Sequence, residues 1–204
     1  MSPPLRQRSR LLAGFCRTVD TVNEKLSWVA AAAVLAACLI SAGNAFIRYT
    51  WDLSSNAWLE IQWYLFATTV MLGAPYVLRR NEHVRVDIFY SRLPRRWAMA
   101  ADIAGLLLFL LPVTILLAAL SWPVFARALA SGEVSSNAGG LIRWPALLLL
   151  PLGFGLVALQ GVAEIIKRVL YLAASPGTGV DADTGASGDP QDELLAAAYE
   201  KPLQ

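Results

Sequence analysis

Histidine occurs once in this chain and cysteine twice, too few for a metal centre or a disulfide framework. A bis-histidine haem or a histidine-based zinc site would need a second imidazole, and His83 stands alone. Cys16 and Cys38 show no metal-ligand spacing, and Cys38 falls inside an apolar run, where an inert buried thiol is the ordinary reading. Charge is scarce as well. Charged residues make up 16% of the chain, against about 25% in a typical soluble domain. The formal net charge of +2 and the lack of a basic, aromatic-interleaved stripe leave nothing for a nucleic acid to bind. No internal repeat is visible, so an inverted-repeat transporter core is not written into this chain.

What the chain has in quantity is apolar sequence, 56% by composition, gathered in four blocks. Residues 26–47 ("LSWVAAAAVLAACLISAGNAFI") contain no charge over 22 positions. As a helix they extend about 33 Å, enough for a hydrocarbon core of ~30 Å. From Trp58 to Leu78 only Glu60 interrupts, at the boundary. Residues 103–126 and 144–163 supply uncharged runs of 24 and 20 residues. The expected fold is therefore all-α: a polytopic membrane protein with spans near 26–48, 58–78, 97–125 and 143–170. Within the spans, Asn44, Thr68, Thr69, Thr114 and Gln160 are expected to act as helix-packing groups, not as an ion site. Ala30, Ala33, Ala37, Ala42, Gly43 and Ala45 give span one a surface of little bulk, suited to close helix contact. Pro112 and Pro151 are expected to kink or loosen spans three and four.

Two flanking regions complete the domain plan of 1–25, 26–172 and 173–204. In the first, Leu11, Phe15, Val19, Val22 and Leu26 recur at helical spacing, with charges between them. That pattern predicts a basic amphipathic helix lying in the membrane interface, with a cytosolic helix packing on a partner as the alternative. In the last, "SPGTGVDADTGASGDPQDELLAAAYEKPLQ" is rich in Gly, Asp and Ser and is expected to be a disordered acidic tail. Asp189 before Pro190 is placed to cap a short helix through Tyr199.

Orientation follows from the basic residues. Counted segment by segment, Lys and Arg number five before span one, then one, six, two and three in the following connections and tail. Under the positive-inside rule this alternation puts both termini and the connection between spans two and three in the cytoplasm. Tryptophans agree: Trp28 and Trp97 fall at the inner ends, Trp51, Trp58, Trp122 and Trp144 at the outer ends.

Polar candidates sit at the rims. Asp102 lies six residues after Arg96, and Glu164 has Lys167 and Arg168 three and four positions on, a favourable helical arrangement. Both are expected near the cytoplasmic rim with water and basic partners close, and Glu60 near the outer rim. No charge falls at a midplane position, where an ion path would need one. In the connection "RRNEHVRVDIF", Val84, Val86 and Ile88 alternate with Arg85 and Asp87, which suits an extended segment with one apolar side. Arg79, Arg80 and Arg85 are placed to meet anionic headgroups, and His83 shares that surface role in preference to a proton-relay one.

The stretch "GAPYVLRRNEHVRVDIFYSRLPRR" following "WLEIQWYLFATTVML" resembles the small permease subunit of tripartite ATP-independent periplasmic (TRAP) transporters. Glu60 opening span two, Gly73, Arg80, His83-Val84-Arg85-Val86-Asp87 and Leu93-Pro94 carry the likeness, which covers roughly residues 20–172. The resemblance implies a bacterial inner-membrane protein that is not an enzyme and binds no cofactor. It also implies two partners: a large permease that carries the substrate and ion sites, and a periplasmic solute-binding protein. The small subunit would then scaffold the moving one. Two other classes compete: the membrane anchor of a redox enzyme, which would need haem or quinone ligands, and a stand-alone membrane scaffold.

Overall fold

The computed structural model describes residues 3–52, 55–80 and 95–174, with residues 3–10, 95–96 and 173–174 as helical backbone. His83, Arg85, Asp87 and the expected acidic tail lie outside the described residues. Helix α1 runs Pro3–Trp51, α2 Asn56–Arg80, α3 Arg95–Gly105, α4 Leu111–Ser131 and α5 Trp144–Ala174, with a π-helical stretch at Leu106–Leu110 between α3 and α4. Four of the resulting segments, Leu11–Trp51, Asn56–Arg80, Trp97–Ser131 and Trp144–Leu172, are long and apolar enough to cross a membrane. Three of the four expected spans fall inside them, and the fourth, 143–170, begins one residue before its helix.

The N-terminal region is not a separate element. It continues span one in a single helix of 49 residues, about 74 Å long at ~1.5 Å per residue. No Gly or Pro interrupts it between Gly14 and Gly43, so nothing in the covalent chain breaks the helix at the expected boundary.

The π-helical stretch has a local cause. Pro112 has no N–H, and its ring crowds the carbonyl one turn back. The chain answers by widening one turn, so that the Leu111 N–H donates to Leu106 O, five residues earlier. Span three thus passes its proline without a break. Pro151 lies inside an unbroken α5, as Pro75 does in α2 and Pro123 in α4.

Helix α5 is the shared element: α1, α2, α3 and α4 all pack against it, α1 and α2 also pair with each other, and α4 adjoins α5 along its length. Close approach needs small residues. A Cβ built on Gly153 of α5 would stand 2.6 Å from Met71 Cβ and 3.0 Å from Met71 O of α2, so only glycine fits there. Ala30 and Ala33 of α1 are buried, and Ala30 Cβ lies 3.8 Å from where Gly73 would carry its own. The Ala30–Ala33 part of the small face of span one is thus used within the chain, whereas Ala42 and Ala45 are exposed. Large apolar side chains such as Leu35, Phe66, Leu108 and Phe109 point outward instead, as lipid requires.

The packing groups divide. Thr68 and Thr114 donate to carbonyls of their own helices, Tyr64 O at 2.8 Å and Leu110 O at 2.7 Å. Thr69 also bonds within its helix, to Leu65 O at 2.9 Å, but lies 3.4 Å from Ala30 O of α1. Gln160 reaches fully across, and leads to the first of two polar clusters.

Candidate functional site

At the end of the bundle that holds the C-terminus of α5, that helix carries Gln160, Glu164, Lys167 and Arg168 on consecutive turns of one face. All four are buried, Gln160 completely. Lys167 Nζ lies 2.7 Å from Glu164 Oε1 and 2.9 Å from Asp20 Oδ1 of α1, bridging two carboxylates. Arg168 Nη1 donates to Glu164 Oε2 at 2.8 Å, and its Nε stands 3.6 Å from Asp102 Oδ2 of α3. Gln160 Nε2 donates to Asp20 Oδ1 and Glu164 Oε1, both at 3.0 Å, while its Oε1 accepts from Asn23 Nδ2 at 2.6 Å. Arg79, near the end of α2, completes the cluster, 3.0 Å from Glu24 Oε2 and 3.8 Å from Asp20 Oδ1. Asp20, Glu24, Asp102 and Glu164 face Lys167, Arg168 and Arg79, so four carboxylates meet three cations drawn from four helices. Charges withdrawn from water survive only when paired and hydrogen-bonded, and here they are.

Glu164, Lys167 and Arg168 do form the local triplet their spacing predicts. The expectation of nearby water fails, because the N-terminal part of α1 lies over them and leaves each at 5% exposure or less. Asp102 has Arg168, a residue of another helix, within ion-pair reach. Arg79 turns into the bundle, with protein carboxylates where headgroups were expected. Arg80 stays exposed, its Nε 3.0 Å from Tyr76 Oη and its guanidinium 5.5 Å from that ring's centre, a cation–π arrangement.

Asp20 and Asn23 were not singled out in the sequence, though a signal exists. Cys16, Asp20 and Asn23 recur at spacings of four and three, then Ala30 and Ala33 follow on a similar face; all five are buried. Of the more conspicuous stripe, about 100° around the helix, Leu11, Phe15 and Val22 are exposed, while Val19 and Leu26 are half-buried. The polar stripe faces the bundle because α5 offers it matched partners.

The second cluster closes the opposite end. Glu60, 3% exposed, accepts from Asn137 Nδ2 at 2.7 Å and from the Leu141 N–H at 2.6 Å. One turn either side on α2, Asn56 Nδ2 donates to Ala138 O at 3.3 Å and Tyr64 Oη to Ile142 O at 3.0 Å. These three residues, four apart, grip the α4–α5 connection. The connection is itself ordered: Val134 and Ile142 form an antiparallel bridge, the Ser135 N–H donates to Leu141 O at 2.9 Å, and Glu133 pairs with Arg143. Gly140 permits the tight return, since a Cβ there would stand 2.6 Å from that of Ser135.

Among the described residues, no three His, Cys, Asp or Glu side chains gather as a metal-binding group. Ionisable side chains concentrate at the two ends and fasten helices to one another or to a connection. The four membrane-length helices define a multi-pass membrane protein. The chain belongs to the family described as "Tripartite ATP-independent periplasmic transporters, DctQ component", matched over residues 37–170. It is thus the small membrane subunit of a TRAP transporter, a multi-pass protein of a bacterial membrane. The match takes in Glu60, Arg79, Asp102, Glu164 and Lys167 but begins after Asp20 and Asn23. No curated protein and no solved structure matches the chain.

Proposed function

We propose that this subunit is the static scaffold of an ion-coupled solute importer, holding a large permease that carries the substrate and ion sites and receives solute from a periplasmic binding protein. The observation behind this reading is the fastening of the bundle at both ends. At one end an ion network ties α1, α2, α3 and α5 together, and at the other Glu60 ties the α4–α5 connection to α2. A scaffold must resist the motion of what it holds, and a bundle pinned at both ends does so. The outward-facing apolar side chains of α1, α2 and α4 remain for lipid and the large subunit.

On this reading both termini and the 81–94 connection are cytoplasmic, and the Glu60 end is periplasmic, in keeping with the Lys/Arg alternation. Glu60 and Asp102 are then structural fasteners. His83, Arg85 and Asp87 belong to a surface segment that meets lipid headgroups or the large permease. The reading is tested by reconstitution into liposomes with a sodium gradient. The chain alone is expected to give no uptake, and uptake is expected once the large permease and binding protein are added. Robust transport by the isolated chain would overturn it.

A further inference from the structure

The π-helical turn of span three leaves a backbone carbonyl without a donor. Donors follow one another in order along a helix, and Pro112 interrupts that order because it has no N–H. The Leu111 N–H, which would serve Leu107 O in an α-helix, donates to Leu106 O instead. In the wider π register the donor for Leu107 O would be residue 112, the proline itself. Leu107 O therefore gains a partner in neither register. Side chains among the described residues do not make up the loss. The hydroxyl nearest in the chain, Thr114 Oγ1, already donates to Leu110 O at 2.7 Å and lies 3.2 Å from Leu111 O.

Depth makes the gap costly. Leu107 lies inside the uncharged run 103–126 and ten residues, about 15 Å, beyond Trp97, which belongs at the inner headgroup level. An unpaired carbonyl is strongly unfavourable in hydrocarbon, and spans that contain proline recover by taking a donor from elsewhere. The gap falls on an exposed part of the helix. Pro112 is exposed, and Leu107, Leu108 and Phe109 are 53, 65 and 73% exposed, whereas Leu106 is buried against the bundle. Lipid is a poor partner for this carbonyl. Acyl tails carry no donor, the donors of headgroups stay near the level of Trp97, and water is scarce at that depth. What remains is a second helix in the same hydrocarbon, apolar like the Leu107, Leu108, Phe109 and Val113 side chains it would meet, with one polar hydrogen to give.

We infer that a membrane helix of the large permease docks on this turn and donates a hydrogen bond, from a hydroxyl, amide or indole, to Leu107 O. The inference rests on the scaffold reading above, which supplies the neighbour, and adds which face of this subunit meets it. Pro112 then sets specificity by keeping an acceptor open. A helix without a donor would leave that carbonyl unpaired and dry, so it is disfavoured as a neighbour.

The test uses the full transporter in lipid nanodiscs. With Phe109→p-benzoylphenylalanine, light should join this chain to the large permease. Adducts with lipid or with a second copy of this chain in its place would overturn the inference. A second variant, Pro112→Ala, returns the missing N–H, so the gap is filled from within the helix. The isolated subunit should then unfold at the same temperature or a higher one. Its affinity for the large permease, read by energy transfer between labelled subunits on dilution into excess lipid, should fall roughly 3- to 20-fold, as loss of one interhelical hydrogen bond in a membrane does. Unchanged affinity would overturn the inference, and so would a loss of affinity matched by a loss of subunit stability. Co-purification and solute uptake by the parent transporter check the scaffold reading separately. If both succeed while the crosslink or the Pro112→Ala result fails, the docking face alone is wrong. If the parent chain does not hold the large permease, both readings fall.

Discussion

Lys167 is where the inner network is most exposed to test. Its ammonium sits between Asp20 and Glu164 with contacts of 2.9 and 2.7 Å, and all three side chains are 5% exposed or less. At an effective dielectric near 20, each contact carries about 6 kcal/mol of attraction before the cost of drying the ions is set against it. That desolvation costs several kcal/mol per ion, so the pair adds little to stability compared with an apolar replacement. Removing one partner is different, because the dehydrated carboxylates remain. Lys167→Met should therefore destabilise the bundle by about 3–5 kcal/mol. Asp20→Asn in the same background should recover part of the loss, by a coupling of about 0.5–3 kcal/mol. The assay is reversible unfolding of the purified subunit in mixed micelles, followed by circular dichroism for the parent, both single variants and the double. If Lys167→Met falls within about 0.5 kcal/mol of the parent, the ammonium is hydrated or mobile, and the argument from burial fails.

At the other end, Glu60→Ala should release the connection at 132–143, read as faster amide exchange at Leu141 while the amides of α2 stay protected; unchanged exchange there would mean the connection holds itself. Gly153→Ala should lower stability by about 1–3 kcal/mol, because the added methyl meets Met71 at a distance no Cβ tolerates; a neutral result would show that α2 and α5 can separate freely. Cysteine labelling in cells should find residues 131–140 accessible from the periplasm and 81–92 only from the cytoplasm, and the opposite pattern would invert the topology. His83→Ala should leave turnover of the assembled transporter nearly intact, and its loss with co-purification unchanged would give that imidazole a chemical role.

Membership of the family and the four-span plan were legible in the chain because each rests on local information. A run of 20 or more residues without charge has one stable fate in hydrocarbon, a helix that satisfies its own backbone. The pairing of Glu164 with Lys167 and Arg168 was legible for the same reason, since three and four positions fix neighbours on a helix. Whether that triplet was wet or dry was not. Its burial depends on Asp20 and Asn23, some 140 positions away in the chain, coming to lie over it, and no spacing rule spans that distance.

The N-terminal arm makes the distinction sharpest. Its sequence holds two stripes, one apolar and one of Cys16, Asp20 and Asn23, and hydrophobic periodicity alone favours the first as the packing face. Tertiary structure chose the second, because α5 presents a lysine and a glutamine that can satisfy those buried polar groups. Glu60 likewise announced itself as a charge at a boundary, but its partners, Asn137 and the Leu141 N–H, became apparent only once the α4–α5 connection folded back over α2. Sequence by itself determined which segments leave water. Tertiary structure decided which polar groups leave with them, since a polar group can be buried only where another element brings its partner.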